Sequence, residues 1–305
     1  MYLVFGKAYL LLLAPASLLA IYAVYRRAKR VQEGIRRALP GELPGLTPRL
    51  ALASAIALLL VLAASEPRVV EVKRVELPLE EAYKLSGVPT LHVVVLDESK
   101  SMLSADVYPD RCTLAKRFAE KYIEGLQPSD LVVLVFFSSS SNATGPLPRD
   151  NALRALDGYT CRYRYTALGD ALVSAYSVLA ASGLPGAVVV VSDGGWNYGS
   201  DPLQVAQSIR ASNYSLVLVR VGGDPRGSLM RDVASKANGK YLELDAFSQD
   251  LAPSIASNVS ATARYEALRL AGLAYADVTV ETPVGREPLL LLAALLAALL
   301  FRDGL

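Results

Sequence analysis

The sequence is poor in the side chains and motifs on which several classes of enzyme depend. His92 is the single histidine among 305 residues, so a Ser-His-Asp triad elsewhere in the chain is excluded. Because His92 lies inside an apolar run, it is predicted to be a packing residue. A Gly-x-x-x-x-Gly-Lys-Ser/Thr stretch, which cradles nucleotide phosphates, is also absent from the sequence.

Charge of either sign is not in excess. The chain has 31 Lys and Arg against 29 Asp and Glu, for a net charge of +2. Nucleic-acid-binding proteins present a basic face, so this class is disfavoured. Apolar residues, in contrast, make up 52% of the chain, and their excess lies in three runs, at residues 8–24, 50–65 and 289–301.

The first two apolar runs are predicted to be membrane helices, since a helix needs about 20 apolar residues to cross a bilayer. A signal peptide carries its basic residues before the apolar run, whereas the cluster at 26–30 follows it; a cleaved signal peptide is the alternative. The basic loop 26–49 is predicted to be cytoplasmic by the positive-inside rule. Everything after Ser65 then emerges outside.

The third run is shorter and spans about 20 Å as a helix. We predict that it crosses the membrane, with Arg302 reaching the interface; an interfacial or partner-packed helix is the alternative. The predicted organisation is a membrane helix (1–25), a cytoplasmic loop (26–49), a second membrane helix (50–65), an extended segment (66–87), a folded domain (88–268), a strand segment (269–286) and a C-terminal membrane helix (287–302). The protein is thus predicted to be a multi-pass plasma-membrane protein.

The middle of the chain alternates between β-branched apolar runs and helical stretches. The predicted strands are 91–96, 131–138, 187–192 and 215–221, and the predicted helices are 112–125, 168–181, 202–211, 228–237 and 249–268. This alternation predicts an α/β fold, a doubly wound and mostly parallel sheet with helices on both faces. The flanking segments 69–77 and 274–282 are extended in pattern and are predicted to pair as a stalk, unless they are independent linkers.

Oxygen-bearing side chains follow two of these strands. Asp97, Ser99 and Ser101 come directly after the first strand, Asp193 follows the third, and Thr166 precedes a helix. In open α/β sheets, ligands bind beyond the carboxyl ends of the strands. Oxygen ligands with few carboxylates suit hard divalent cations, Mg²⁺ especially.

These five residues resemble the metal-ion-dependent adhesion site of von Willebrand factor A (VWA) domains, whose first motif is Asp-x-Ser-x-Ser. The resemblance implies a cation, Mg²⁺ or else Mn²⁺ or Ca²⁺, and a protein partner that completes its coordination with an acidic side chain. It implies no catalysis. Lys100 departs from the family, in which many members have glycine there, and a degenerate domain without metal is the alternative.

The arrangement of membrane helices around one A domain, together with Asp106, Pro109 and Arg111, resembles the Bat-type aerotolerance proteins. That resemblance implies an alternative role as a subunit of an envelope assembly with a MoxR-type AAA ATPase. The predicted topology opposes it, because a cytoplasmic ATPase would reach only the loop 26–49 and the C-terminal tail. A Mg²⁺-dependent phosphatase with Asp97 as nucleophile is a further alternative, but Ser99 stands where such enzymes have a second aspartate.

Several neighbouring residues carry weaker signals. Aromatic side chains near the predicted site suggest a protein-binding rim, with loop packing as the alternative; they are Tyr163, Tyr165, Trp196 and Tyr198. Asp170 is predicted to cap its helix, because acids favour the first turn. The only cysteines, Cys112 and Cys161, flank loops that must converge, so an extracytoplasmic domain predicts a disulfide between them; two separate thiols are the alternative.

Overall fold

The structure is a computed structural model that describes residues 1–38, 46–83, 87–222 and 228–302. Parts of the predicted loop 26–49, the predicted segment 66–87 and the C-terminal tail therefore lie outside the described residues. The chain divides into two compact units. We call Met1–Val75 with Asp277–Leu305 the helical unit, and Glu76–Ala276 the α/β unit.

Strands and helices are numbered in chain order. The strands are β1 (Tyr2–Phe5), β2 (Pro67–Glu76), β3 (Leu91–Asp97), β4 (Leu131–Phe137), β5 (Ser141–Ala143), β6 (Leu147–Pro148), β7 (Gly186–Ser192), β8 (Ser215–Val221), β9 (Lys240–Leu244) and β10 (Tyr275–Pro283). The helices are α1 (Leu13–Ala38), α2 (Leu46–Ala64), α3 (Leu79–Tyr83), α4 (Arg111–Glu124), α5 (Arg149–Leu156), α6 (Leu168–Ser182), α7 (Pro202–Ala211), α8 (Ser228–Ala237), α9 (Ala252–Leu270) and α10 (Glu287–Arg302).

The helical unit combines three apolar helices with a three-stranded sheet of order β1-β2-β10. Two helical segments are long and apolar enough to cross a membrane, Ala8–Arg37 and Leu46–Ala64. The 16-residue α10 packs against α2. Pairing of the two flanking extended segments, β2 with β10, agrees with the prediction.

The N-terminal boundaries differ from those predicted. Residues 1–25 are predicted to be one helix, but Tyr2–Phe5 form β1, which pairs antiparallel with Pro67–Val70 of β2. Tyr, Val and Phe favour strands when a partner strand is present, and that partner is remote in sequence. Helix α1 also continues to Ala38, well into the segment predicted to be a loop, and α2 begins at Leu46.

The α/β unit has the predicted doubly wound sheet. Its order is β5-β4-β3-β7-β8-β9, with β6 also on β4. Strands β4, β3, β7, β8 and β9 run parallel, and β5 and β6 are antiparallel to β4. One core joins the sheet to α4, α5 and α9, and the other joins it to α6, α7 and α8.

Five elements of this unit are missing from the sequence prediction. Helix α3 (Leu79–Tyr83) lies in the segment 66–87 that is predicted to be extended; its Leu, Glu and Ala residues favour a helix, and it packs against α9. Strand β9 is an edge strand of mixed polarity and is only partly buried, so it lacks the apolar run that marks the central strands. Helix α5 is short and charged, and β5 and β6 are too short to give a pattern. The central pair β3 and β7 is the one that matters for the site, because parallel neighbours bring their carboxyl ends to one edge.

Candidate metal centre

Asp97 and Asp193 lie together at the carboxyl ends of β3 and β7. The two strands are parallel neighbours, with Leu96 opposite Val191. Both aspartates are buried, at 0% and 1% exposure. Burial raises the pKa of Asp97 to about 7, and repulsion from Asp193 adds to the rise, while the hydrogen bonds from Ser192 and Ser99 oppose it. Two carboxylates are thus held close in a site that is shielded from solvent, where a nearby cation stabilises their charged forms.

Local hydrogen bonds fix the Asp97 carboxylate. Its Oδ1 accepts the backbone N–H of Ser99 at 2.8 Å, and its Oδ2 accepts the hydroxyl of Ser192 at 2.6 Å. The backbone carbonyl of Asp97 accepts the Tyr159 hydroxyl at 2.6 Å. Ser192 and Tyr159 were not predicted from the sequence; both owe their role to the packing of β7 and of the loop before α6 against β3.

The two serines of the first motif lie together. Their hydroxyl oxygens are 2.9 Å apart; Ser99 is buried and Ser101 is half-buried. A short 3-10 helix at Lys100–Leu103 produces this geometry. The backbone N–H of Lys100 donates to the carbonyl of Tyr163 at 2.8 Å, while its side chain is exposed, so the charge lies toward solvent.

Thr166 approaches the same edge from the loop that precedes α6. Its N–H donates to Oδ1 of Asn197 at 2.9 Å, and the Asn197 N–H donates back to the Thr166 carbonyl at 3.2 Å. A Cβ built on Gly195 would lie 3.2 Å from Asp193 Oδ1 and 3.8 Å from Thr166 Oγ1. The structure therefore brings the threonine hydroxyl and the second aspartate to one spot, beside a residue that has no side chain.

Arg111 is a component of this site that the sequence analysis did not place there. Its Nη1 donates to Asp193 Oδ2 at 2.9 Å. Its Nε and Nη2 donate to the two carboxylate oxygens of Asp106 at 2.7 and 2.8 Å. Asp106 and Arg111 stand out in the sequence only as part of a loose turn motif, and the contact with Asp193 depends on how α4 packs against the sheet.

Asp170 lies in the first turn of α6, as predicted, but its hydrogen bond leads elsewhere. Its Oδ1 accepts the backbone N–H of Ser200 at 2.9 Å. Gly199 has φ +81, and a Cβ there would meet this carboxylate. Asp170 thus holds the loop after β7, which carries Asp193 and Trp196, against α6, and the predicted helix capping is an incomplete account.

Cys112 and Cys161 form a disulfide in the structure. Their Cα atoms are 6.1 Å apart, and 49 residues separate them in sequence. Cys112 lies in the first turn of α4, one residue after Arg111, and Cys161 lies in the loop that leads to Thr166. The bond therefore ties the start of α4, and with it Arg111, to the loop that carries Thr166.

Exposed aromatic side chains surround the candidate centre. Trp196 and Tyr163 are each 41% exposed, Tyr198 is 54% exposed and Tyr165 is 56% exposed. The rings of Tyr165 and Tyr198 lie 5.8 Å apart between centroids, and the Arg162 guanidinium lies 5.2 Å from the centroid of the Tyr163 ring. We call these four aromatic residues the aromatic rim.

The donor set suits a hard cation. Among the residues that the structure describes, no cluster contains three or more His, Cys, Asp or Glu side chains in metal-binding reach. The centre instead combines two carboxylates with hydroxyl oxygens, which is a chemistry that Mg²⁺ and Mn²⁺ accept and that disfavours soft-ligand metals.

A family model for the von Willebrand factor type A domain matches residues 93–257, which is more than half of the chain. The chain belongs to this family. No curated protein sequence matches it, but many solved structures share the fold.

Two of those structures are of Bacteroides proteins. BatB from Bacteroides thetaiotaomicron is 21% identical, with a TM-score of 0.49, over 60% of this chain and 99% of that one. An aerotolerance-related membrane protein from Bacteroides fragilis is 24% identical, with a TM-score of 0.49, over 58% and 99% of the respective chains.

A further solved structure with this fold is that of proximal thread matrix protein 1 from the mussel byssus, with zinc in its metal-ion-dependent adhesion site (MIDAS) motif. It is 19% identical, with a TM-score of 0.51, over 77% of this chain and 53% of that one. This likeness shows the shared fold.

Proposed function

We propose that this VWA-domain protein is a membrane-anchored binding module. It would hold one divalent cation, Mg²⁺ or else Mn²⁺ or Ca²⁺, and bind an acidic side chain of a protein partner through that cation. The observation that carries the proposal is the convergence of Asp97, Ser99, Ser101, Thr166 and Asp193 at one edge of the sheet. No covalent chemistry is part of the proposal.

The charge balance of the donor set supports an external acidic ligand. Only two of the five proposed ligands are carboxylates, and one of these already accepts a hydrogen bond from Arg111. Hydroxyl oxygens add no negative charge, and Arg111 offsets part of the charge of Asp193, so the two carboxylates do not fully neutralise a divalent cation. A carboxylate from outside the chain would therefore find a strong electrostatic partner at the centre.

The surface around the centre supports a protein partner with acidic side chains. Lys100, Arg162 and Arg164 are exposed beside the aromatic rim. Aromatic residues and arginines are enriched at binding hot spots. A rim that combines rings with positive charge is complementary to an acidic segment that crosses the centre.

The helical unit supports membrane anchoring. Strand β1 precedes α1 and β2 follows α2, so the pairing of these strands agrees with two crossings that return the chain to its starting side. The basic residues of α1 favour a cytoplasmic location for the end of that helix. We therefore propose a multi-pass protein with its α/β unit on the extracytoplasmic side, where the Cys112–Cys161 disulfide is stable.

A phosphatase is the less well supported function. Two positions after Asp97, where a general acid would be required, Ser99 bonds Ser101 and contributes only a hydroxyl. The residue types of the centre therefore favour ligand binding over group transfer.

The proposal is tested by metal and carboxylate titrations of the full-length protein in detergent. Trp196 is the only tryptophan, so its fluorescence reports on the centre directly. We expect Mn²⁺ to change this fluorescence in a saturable manner, and the peptide Gly-Asp-Gly to bind only when Mn²⁺ is present.

Thr166→Ala should abolish both responses, whereas Thr160→Ala, at an exposed threonine of the same loop, should retain them. Both peptides are N-acetylated and C-terminally amidated, so Gly-Asn-Gly, which then has no carboxylate, is the matched control for the Asp side chain. Metal responses that are equal in the two threonine variants would contradict the proposed centre.

A further inference from the structure

We propose that Arg111 is a positioning residue. By donating a hydrogen bond to Oδ2 of Asp193, its guanidinium offsets part of the negative charge that Asp193 contributes to the bound cation. This inference rests on the proposed metal centre. It concerns how strongly the centre holds its cation and how much positive charge remains for a partner.

Arg111 is built into the fold. It is the first residue of α4, and its side chain is 8% exposed. Asp106 holds it with two hydrogen bonds, on Nε and Nη2, a paired geometry that fixes the plane of a guanidinium. With this face fixed, Nη1 is directed to Asp193 Oδ2 at 2.9 Å.

Gly222 lies against the Arg111–Asp106 pair. Gly222 follows β8, has φ +89, and donates its N–H to the Leu244 carbonyl at 2.8 Å. A Cβ on Gly222 would collide with the Arg111 guanidinium and would lie 2.8 Å from Asp106 Oδ2. The space beside the centre is therefore shaped to hold the Arg111–Asp106 pair.

The two oxygens of Asp193 consequently have different partners. Oδ1 accepts the N–H of Gly195 at 3.0 Å and lies on the side of Thr166. Oδ2 faces Arg111. Oδ1 accepts from a neutral backbone N–H and lies toward Thr166, so it is the oxygen that Asp193 presents to the cation or to a water bound to it. The guanidinium on the Oδ2 side repels a divalent ion.

Arg111 therefore changes two affinities in opposite directions: the affinity of the protein for the cation, and the affinity of the bound cation for an external carboxylate. A cation that receives less charge from the protein is held less tightly, but it attracts an external carboxylate more strongly. Arg111 lowers the first affinity and raises the second, and Asp106 holds Arg111 at its position while partly neutralising it.

The test compares Arg111→Met and Asp106→Asn in the full-length protein, with Mn²⁺ alone as the probe and Trp196 fluorescence as the readout. Arg111→Met should bind Mn²⁺ roughly tenfold more tightly, because a positive charge near the cation is removed. Asp106→Asn should bind Mn²⁺ more weakly, because a negative charge is lost and the guanidinium is left to Asp193. A role in folding alone would weaken binding in both variants.

Two further variants sharpen the comparison. Arg111→Lys keeps the charge but loses the paired hydrogen bonds to Asp106, so its Mn²⁺ affinity should lie between those of the wild type and Arg111→Met. Arg117→Met removes an exposed arginine of the same helix and should change nothing. Gel filtration and an intact disulfide identify variants that are folded.

An unchanged or weakened Mn²⁺ affinity in folded Arg111→Met would overturn the inference. If that variant does not fold, Asp106→Asn decides the matter, because unchanged or tighter Mn²⁺ binding there contradicts the role of Arg111. A wild type that gives no Mn²⁺ response would overturn the proposed function itself, and the inference with it.

Discussion

Strand β3 carries a buried polar cluster at each end, and the two clusters differ in how their charges are balanced. The carboxyl-end cluster is the candidate metal centre. The amino-end cluster contains one residue just before β3 and others from β3, α4, the turn before β4 and α9. They are Thr90, His92, Tyr122, Asp130 and Arg264. All five are almost completely inaccessible to solvent.

The amino-end cluster satisfies its charges internally. The Asp130 carboxylate pairs with the Arg264 guanidinium and accepts the Thr90 hydroxyl at 2.7 Å. His92 Nδ1 lies 2.5 Å from the Tyr122 hydroxyl. Burial lowers the pKa of His92 to about 4, and Arg264 adds to this while Asp130 opposes it, so the ring is neutral at pH 7.

The carboxyl-end cluster leaves negative charge over. Asp97 accepts its hydrogen bonds from neutral groups of Ser99 and Ser192, while Asp193 shares the Arg111 guanidinium with Asp106. A buried polar cluster whose charges are balanced stabilises the fold. A buried cluster with more negative than positive charge favours the binding of a cation from solution.

The largest expected effect comes from removing the counter-charge of the amino-end cluster. Asp130→Asn leaves the Arg264 guanidinium buried without its carboxylate, which typically costs about 3–5 kcal/mol. Urea unfolding of the unit Glu76–Ala276, monitored by Trp196 fluorescence, measures this loss. Asp157→Asn, at an exposed ion pair with Lys116, is the control and should have no clear effect. A loss below about 1 kcal/mol for Asp130→Asn would show that the pair is not needed for stability.

The next effect is the pH dependence contributed by His92. Its folded-state pKa of about 4 lies below the ordinary value of 6.5, so the unfolded state binds the proton more readily. The stabilisation is fully present above about pH 6.5 and is lost as the pH falls toward 4, by about 3 kcal/mol at most.

The check is the difference in unfolding free energy between the wild type and His92→Gln at pH 7.5 and at pH 5. The subtraction removes contributions from Asp97, whose raised pKa acts in the opposite direction. A difference that does not change with pH would mean that His92 does not titrate as described.

Metal addition is expected to stabilise only through the carboxyl-end cluster. At a free Mg²⁺ concentration about a hundredfold above Kd, the gain should be about 2.7 kcal/mol. Differential scanning calorimetry of wild type and Asp97→Asn provides the measurement. Asp97→Asn should lose this gain. Its melting temperature without Mg²⁺ should not be lower than that of the wild type, because the substitution removes the repulsion between two buried carboxylates. An equal gain in both proteins would place the cation elsewhere.

The smallest expected effect is that of Lys100, which lies between the two serines of the first motif. Its side chain is exposed, so its charge is screened by salt. Lys100→Gln should tighten Mn²⁺ binding by about twofold at low ionic strength, and the difference should vanish near 1 M salt. A salt-independent difference would indicate a direct contact instead.

Much of the carboxyl-end cluster could be predicted because local sequence defines it. Asp97, Ser99 and Ser101 are two residues apart, and buried parallel strands mark where their loops must lie. The doubly wound sheet followed from the same apolar runs. The Cys112–Cys161 pairing was inferred from the convergence of those loops, and the structure forms that bond.

The remaining contacts depend on packing between residues that are remote in sequence. Asp130 and Arg264 are separated by 134 residues, and Arg111 and Asp193 by 82. A lone arginine at the start of a helix looks the same in sequence whether it faces solvent or a carboxylate. Strand β1 was missed for a related reason, since its partner β2 lies beyond two apolar helices.

Anomalous diffraction from crystals grown with Mn²⁺ would locate the cation itself. We expect one strong peak among Asp97, Ser99, Ser101, Thr166 and Asp193, with Arg111 still bonded to Asp193 and no peak at the amino-end cluster. If crystals grown with Mn²⁺ show no anomalous peak at these residues, or show a peak only elsewhere on the α/β unit, a metal centre at the carboxyl end of β3 is contradicted.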